Sequence, residues 1–180
     1  MTASRQYQND LVAALSRFFP GEAGMEYFIP KKAKDKFAGL KGVYIPRLDV
    51  AVGTLGEIEG NQYERIREFY FAKAPQMLKR ITGRLRENEN PRCALGIEVV
   101  YSGTSKHILG DMVNSGTIGL YGLVLASDEM FPKVKRIQEY VRIVKDLGKM
   151  PVELCSNVQV LKAKEFLDDL RNSTAPIGHI

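Results

Sequence analysis

The residues best placed for chemistry are two carboxylates set inside apolar, β-branched runs. Asp49 lies in YIPRLDVAVGTLG (44–56) and Glu98 in CALGIEVVYSGTSKH (93–107). A buried charge needs a partner, because taking it out of water unpaired is expensive. Side chains alternate along a strand, so Asp49 shares a face with Ala51 and Gly53, and Glu98 with Gly96 and Val100. Small neighbours would leave space in front of each acid. If the two strands pair, the carboxylates come side by side, and one takes up a proton unless a cation lies between them. A hard divalent ion such as magnesium, or manganese in its place, suits that position, completed by water and phosphate oxygens. Such an ion activates water and stabilises charge on a phosphate. The competing assignments are structural: Asp49 paired with Arg47 or bonded to backbone at a bulge, and Glu98 paired with a lysine at the end of its strand.

The stretch SGTSKHILGD (102–111) follows the Glu98 strand directly. Ser102, Thr104 and Ser105 are hydrogen-bond donors, and Gly103 lets backbone approach a ligand. Lys106 and His107 open the next helix, whose N-terminus favours anions. A phosphate-facing loop and a plain helix cap both fit this pattern. It is not a P-loop, because the glycine-lysine-serine order is absent, and no nucleophile elbow is present. Asp111, one turn further on, could cap, pair with a lysine or meet a second metal.

Two basic runs stand out, PKKAKDKF (30–37) and KRITGRLR (79–86). They supply Lys31, Lys32, Lys34, Arg80 and Arg84 as candidate contacts to a nucleic-acid backbone, where positive charge gives affinity without sequence preference. A solvated surface is the alternative for each. The net charge of +5 and pI near 9.2 point the same way, to a polyanionic partner.

The elements that must position these groups follow from periodicity. Residues 4–19 have helical spacing at Leu11, Val12, Leu15, Phe18 and Phe19, ended by Pro20-Gly21. Residues 25–30 read as a short strand, 31–41 as a lysine-rich loop and 42–55 as a strand with a bulge or edge at Pro46. Residues 61–87 are helical and kinked or split by Pro75. A turn at 88–91 leads to a strand at 93–101, a loop at 102–105 and a helix at 106–116. A buried strand lies within 117–127. A helix at 129–147 has Val134, Ile137, Val141 and Val144 on one side. A strand at 157–161 and a helix at 163–172 complete the order, with 173–180 as a loose tail. That order predicts an α/β fold, a single-domain mixed β-sheet flanked by helices over residues 1–180.

The length of 180 residues suits one domain with a real core. No apolar run approaches the roughly 20 residues that span a bilayer. The first residues are too polar for a secretory signal. Cys93 and Cys155 stand far apart and read as reduced thiols, so a cytoplasmic setting is expected. Only two histidines argue against a histidine-rich zinc site.

With Asp49 in RLDVAVG and Glu98 in GIEVV, the pattern resembles the PD-(D/E)XK nuclease superfamily, which has the restriction endonuclease-like fold. The resemblance covers roughly residues 5–127, with 61–87 as an insertion. It implies a magnesium-dependent endonuclease that hydrolyses phosphodiester bonds in DNA. Asp49 and Glu98 would be metal ligands, and Glu22 or Glu26 could be the glutamate that often joins the site from near the first helix. The superfamily's lysine should stand at position 100, where this chain has Val100. Lys106 is the nearest replacement, to orient or deprotonate the attacking water, with Ser102, Gly103 and Thr104 contacting phosphate. Cutting both strands of a duplex suits a homodimer, for which the 129–147 helix offers an apolar face. The departure at Val100 also leaves an alternative, a non-catalytic nucleic-acid-binding or assembly module with the same fold.

Overall fold

A computed structural model of the chain describes residues 2–28, 47–53 and 62–174. The elements are α1 (Ala3–Ser16), β1 (Ala23–Phe28), β2 (Arg47–Val52), α2 (Gln62–Lys73), α3 (Gln76–Thr82), β3 (Cys93–Val100), α4 (Ser105–Ile118), β4 (Gly119–Ala126), α5 (Phe131–Asp146), β5 (Val158–Lys162) and α6 (Ala163–Asn172). The lysine-rich loop at 31–41, the start of the second strand at 42–46 and the last tail residues, 175–180, lie outside the described residues.

The strands form one sheet in the order β1-β2-β3-β4-β5. β1, β2 and β3 pair antiparallel, then β4 and β5 join in parallel. A parallel step needs a crossover, and α4 and α5 supply the two. This is the mixed sheet flanked by helices that the periodicity predicts. β3 and β4 are buried along their whole length, as expected of central strands covered on both faces. One core packs Leu11 and Leu15 of α1, Ile66 and Tyr70 of α2, Met77 and Leu78 of α3 and Phe166 and Leu170 of α6 against Leu95, Ile97, Leu123 and Leu125. A second packs Ile108 and Met112 of α4 and Val134 of α5 against Val100, Val124, Val158 and Val160.

The helical region at 61–87 divides where proline requires it. Pro75 has no N–H to give, and it stands as the cap between α2 and α3. On α5, Val134 and Val141 are buried, whereas Tyr140, Ile143 and Leu147 are exposed. The predicted apolar face turns inward: besides Val134 and Val141, Ile137 packs against the second core and Val144 is half-buried, whereas Tyr140, Ile143 and Leu147 lie off that face.

α4 passes into β4 with no loop between them. Gly119 makes this possible: a Cβ there would meet the Tyr121 carbonyl oxygen and lie 2.5 Å from the Gly96 backbone nitrogen. Backbone atoms of central strands cannot yield. Gly119→Ala is therefore expected to cost about 3 kcal/mol through overpacking. A denaturant midpoint within error of wild type would show that the junction has slack.

Candidate functional site

β2 and β3 pair with Val50 opposite Ile97, Ala51 opposite Gly96 and Val52 opposite Leu95. The same register places Asp49 opposite Glu98. Past Val50 the ladder opens, because the Val99 backbone N–H is taken by a side chain: it donates to Asp49 Oδ2 at 2.8 Å. The Asp49 carboxylate thus sits in the fork between two diverging strands. There it meets groups from both α1 and β3: the Gln8 amide and the Glu98 carboxyl both hydrogen-bond to it. Arg47, exposed at the start of β2, acts on Asp49 through its charge.

Glu98 is only 5% exposed. The Asp49 backbone N–H and the Asn114 side chain hydrogen-bond to it, yet its Oε1 is buried with no hydrogen-bond partner among the described residues. A buried carboxylate oxygen left bare costs the full desolvation of that atom. The acid responds by holding its proton. Burial first, then the charges of Asp49 and Asp111, push it up to about 9. Burial also raises Asp49, against the Val99 N–H and the other donors around it. Asp111 is pushed up to about 6 by burial and by Asp49, with His107 opposing the shift. Burial and the charge of the facing acid thus both favour the protonated form of Glu98.

α4 presents His107, Asp111 and Asn114 at helical spacings of four and three, on one side of the helix. Asn114 is 7% exposed and touches Glu98. Lys106 is exposed and points about 100° around the helix from His107. Val100, at the position where the resemblance expects lysine, is buried with Ile108 and Met112.

Gly96 does not open a space before Glu98. A Cβ on it would lie 2.8 Å from the Ser115 carbonyl oxygen, so this glycine lets α4 pack directly onto β3. In the 102–104 loop Ser102 is exposed. Thr104 caps α4, accepting from the His107 N–H at 3.4 Å. Gly103 has φ +133°, and its carbonyl accepts from Lys133 on α5 at 2.7 Å. Glu22 lies in the turn before β1, where its carbonyl accepts from the Gly53 N–H. Glu26 occupies β1 between Met25 and Tyr27, which pair with Val50 and Leu48, so its register position adjoins Asp49.

The two basic runs fall differently. Lys31, Lys32 and Lys34 lie outside the described residues. Arg80 and Arg84 are exposed, but they precede the segment that ties Asn88 to Leu120 and Arg92 to Ile118 by backbone bonds, at the start of β3 and β4. Glu98 stands five residues further along β3, roughly 17 Å away. Among the described residues, the cations toward the acid end include Arg5, Arg47, Lys106, Lys133 and Lys162.

Among the described residues, no group of three or more His, Cys, Asp and Glu side chains is gathered so as to hold a metal ion. The donor set in contact is two carboxylates flanked by two carboxamides, Gln8 and Asn114. Oxygen donors of this kind fit a hard divalent cation. Sequence reasoning missed both amides. Gln8 sits in the polar run RQYQND and Asn114 in a helix chosen for its first turn, and neither shows its burial in the sequence.

No family model matches the chain, and no curated protein or solved structure is significantly similar to it. Among the described residues, no helix is long and apolar enough to cross a membrane.

Proposed function

We propose that the chain is a metal-dependent endonuclease of restriction endonuclease-like architecture, acting on DNA. One observation carries this reading: Glu98 Oε1 is buried, has no hydrogen-bond partner among the described residues and is set opposite a second carboxylate. A divalent cation answers both the missing partner and the repulsion between the acids. Asp49 and Glu98 would hold it, and magnesium or manganese bound there would supply Lewis acidity and an activated water. The Val99 N–H and Gln8 aim Asp49, and Asn114 aims Glu98. Arg47 and Lys106 stand at the acid end of the sheet to meet phosphate oxygens, with Ser102 and the backbone at Gly103 beside them. The exposed Tyr140 and Ile143 of α5, with Leu147 at its C-cap, would serve a homodimer. The free thiols of Cys93 and Cys155 suit the cytoplasm.

The test is nicking of supercoiled plasmid with magnesium, manganese or chelator. Asp49→Asn keeps the Val99 acceptor and is expected to lose more than about 100-fold in rate, beyond the effect of losing an outer-shell partner. Undiminished cutting by that variant, or cutting in chelator, excludes this site.

A second reading rests on Val100. Its burial among apolar residues, with Lys106 turned outward, favours a nucleic-acid-binding or assembly module that keeps the fold without the chemistry. Salt-sensitive DNA binding that survives Asp49→Asn, with no cutting under either metal, supports it.

A further inference from the structure

Gln8 is a polar residue on the buried side of α1, 7% exposed among Tyr7, Leu11 and Leu15. A glutamine in such a place must have both ends of its amide satisfied. Its Oε1 accepts from Arg5 Nη1 at 3.4 Å, one turn earlier on the helix. That bond fixes which way the amide faces. The oxygen is turned to the arginine, so the NH2 group is the end offered to the Asp49 carboxylate, with which the side chain is bonded. The Val99 N–H holds Asp49 from the β3 side. Asp49 is thus gripped from a helix and from a strand, in the fork where the ladder has opened.

We infer that Gln8, oriented by Arg5, is a positioning residue that sets the Asp49 carboxylate for a divalent cation shared with Glu98. The inference rests on the metal-site reading above and adds α1 to it. Gln8 does not ligate the ion, because its oxygen is engaged by Arg5. It spends its N–H on an anionic oxygen, and this fixes the rotamer that leaves the other oxygen of Asp49 toward Glu98. Donors behind a ligand act in this way on metal affinity. A purely structural glutamine would affect folding alone.

The experiment titrates the full-length protein with Mn2+ alone and follows the free-ion signal by electron paramagnetic resonance. The variants are Gln8→Leu and Gln8→Glu, with thermal melts run in parallel. Gln8→Leu keeps the apolar packing and loses the donor, and its half-saturation is expected to rise about tenfold. Gln8→Glu replaces the donor by a third carboxylate. It is expected to lower the metal-free melting temperature through repulsion and to bind Mn2+ more tightly than wild type. That opposite pair of signs decides the matter even if Gln8→Leu fails to fold. Wild-type half-saturation in both folded variants, or in Gln8→Glu alone, overturns the positioning role and leaves the metal site standing. Absence of Mn2+ binding by wild type overturns both.

Discussion

Without divalent ions, Glu98→Gln is expected to be more stable than wild type at pH 8.5, and the margin is expected to shrink as pH falls. Glu98 ionises at about 9 in the folded chain against an ordinary value of 4.5. The folded state therefore keeps a proton that the unfolded state releases. Stability from this group is complete below pH 4.5 and is lost as pH rises toward 9. Each unit in that window costs about 1.4 kcal/mol. Asp49 and Asp111 are raised too and act with the same sign, but Asp111 is pushed only to about 6. Glu87 is lowered by bonds from Tyr63, Tyr121 and Arg67, against its own burial, so its contribution is lost only at the acid end. The buried thiols are raised from an ordinary value of 9.0, so their effect begins above the window. Comparing the two proteins at pH 6.5 and 8.5 reads Glu98, because Asp49, Asp111 and the other titrating groups are common to both. Over those two units the wild type should lose roughly 2–3 kcal/mol relative to Glu98→Gln, or about 5–10 °C in melting temperature. Glutamine has the shape of the protonated acid, so packing is retained. Parallel stability curves for the two proteins would mean that Glu98 is ionised in the fold and that another group answers its charge.

Most of the sheet was legible in the sequence because its signals are local. Val and Leu runs bounded by Pro, Gly and Asn mark the strands, and the 3.6-residue spacing of Leu11 and Leu15 or of Phe166 and Leu170 marks helices that reach the core. Pro75 splits a helix by a rule that depends on nothing distant. The acid pair was legible for a related reason: an ionisable residue in an apolar strand is a local contradiction, and Asp49 and Glu98 each present one. What surrounds them was not legible. Gln8 looks like the rest of a polar helix start, and only the packing of α1 on the sheet buries it. Gly96 reads as room beside Glu98, yet the room is filled by the Ser115 carbonyl. One residue of helical phase separates Lys106 from His107, too fine a difference to fix from helix boundaries uncertain by a residue or two. The run at 79–86 carries its charge openly, but its place at the far end of β3 from Glu98 depends on the whole topology.

Binding of Mn2+ near neutral pH is expected to release about one proton per ion, with affinity rising nearly tenfold per pH unit between 6.5 and 8.5. The reason lies in the same proton that destabilises the ion-free fold at high pH. A cation set between Asp49 and Glu98 needs both oxygens anionic, so it must displace the proton that Glu98 holds up to about 9. Below that value ion and proton compete at a single acid, and the linkage is one for one. Near and above it the acid empties on its own, and the dependence flattens. Asp111 is half-titrated at about 6 and has lost most of its proton by pH 7, so it adds little over the upper part of this range. Calorimetric titrations in buffers of different ionisation enthalpy read the released proton directly, as the slope of apparent heat against buffer heat. Asp49→Asn removes a ligand together with the charge that helps keep Glu98 protonated, and should lower both the affinity and the slope. Glu98→Gln has no proton to give, so any residual binding should be independent of pH. Tight binding with no released proton in the wild type would place the ion elsewhere and leave Glu98 a neutral acid that donates its hydrogen to Asp49.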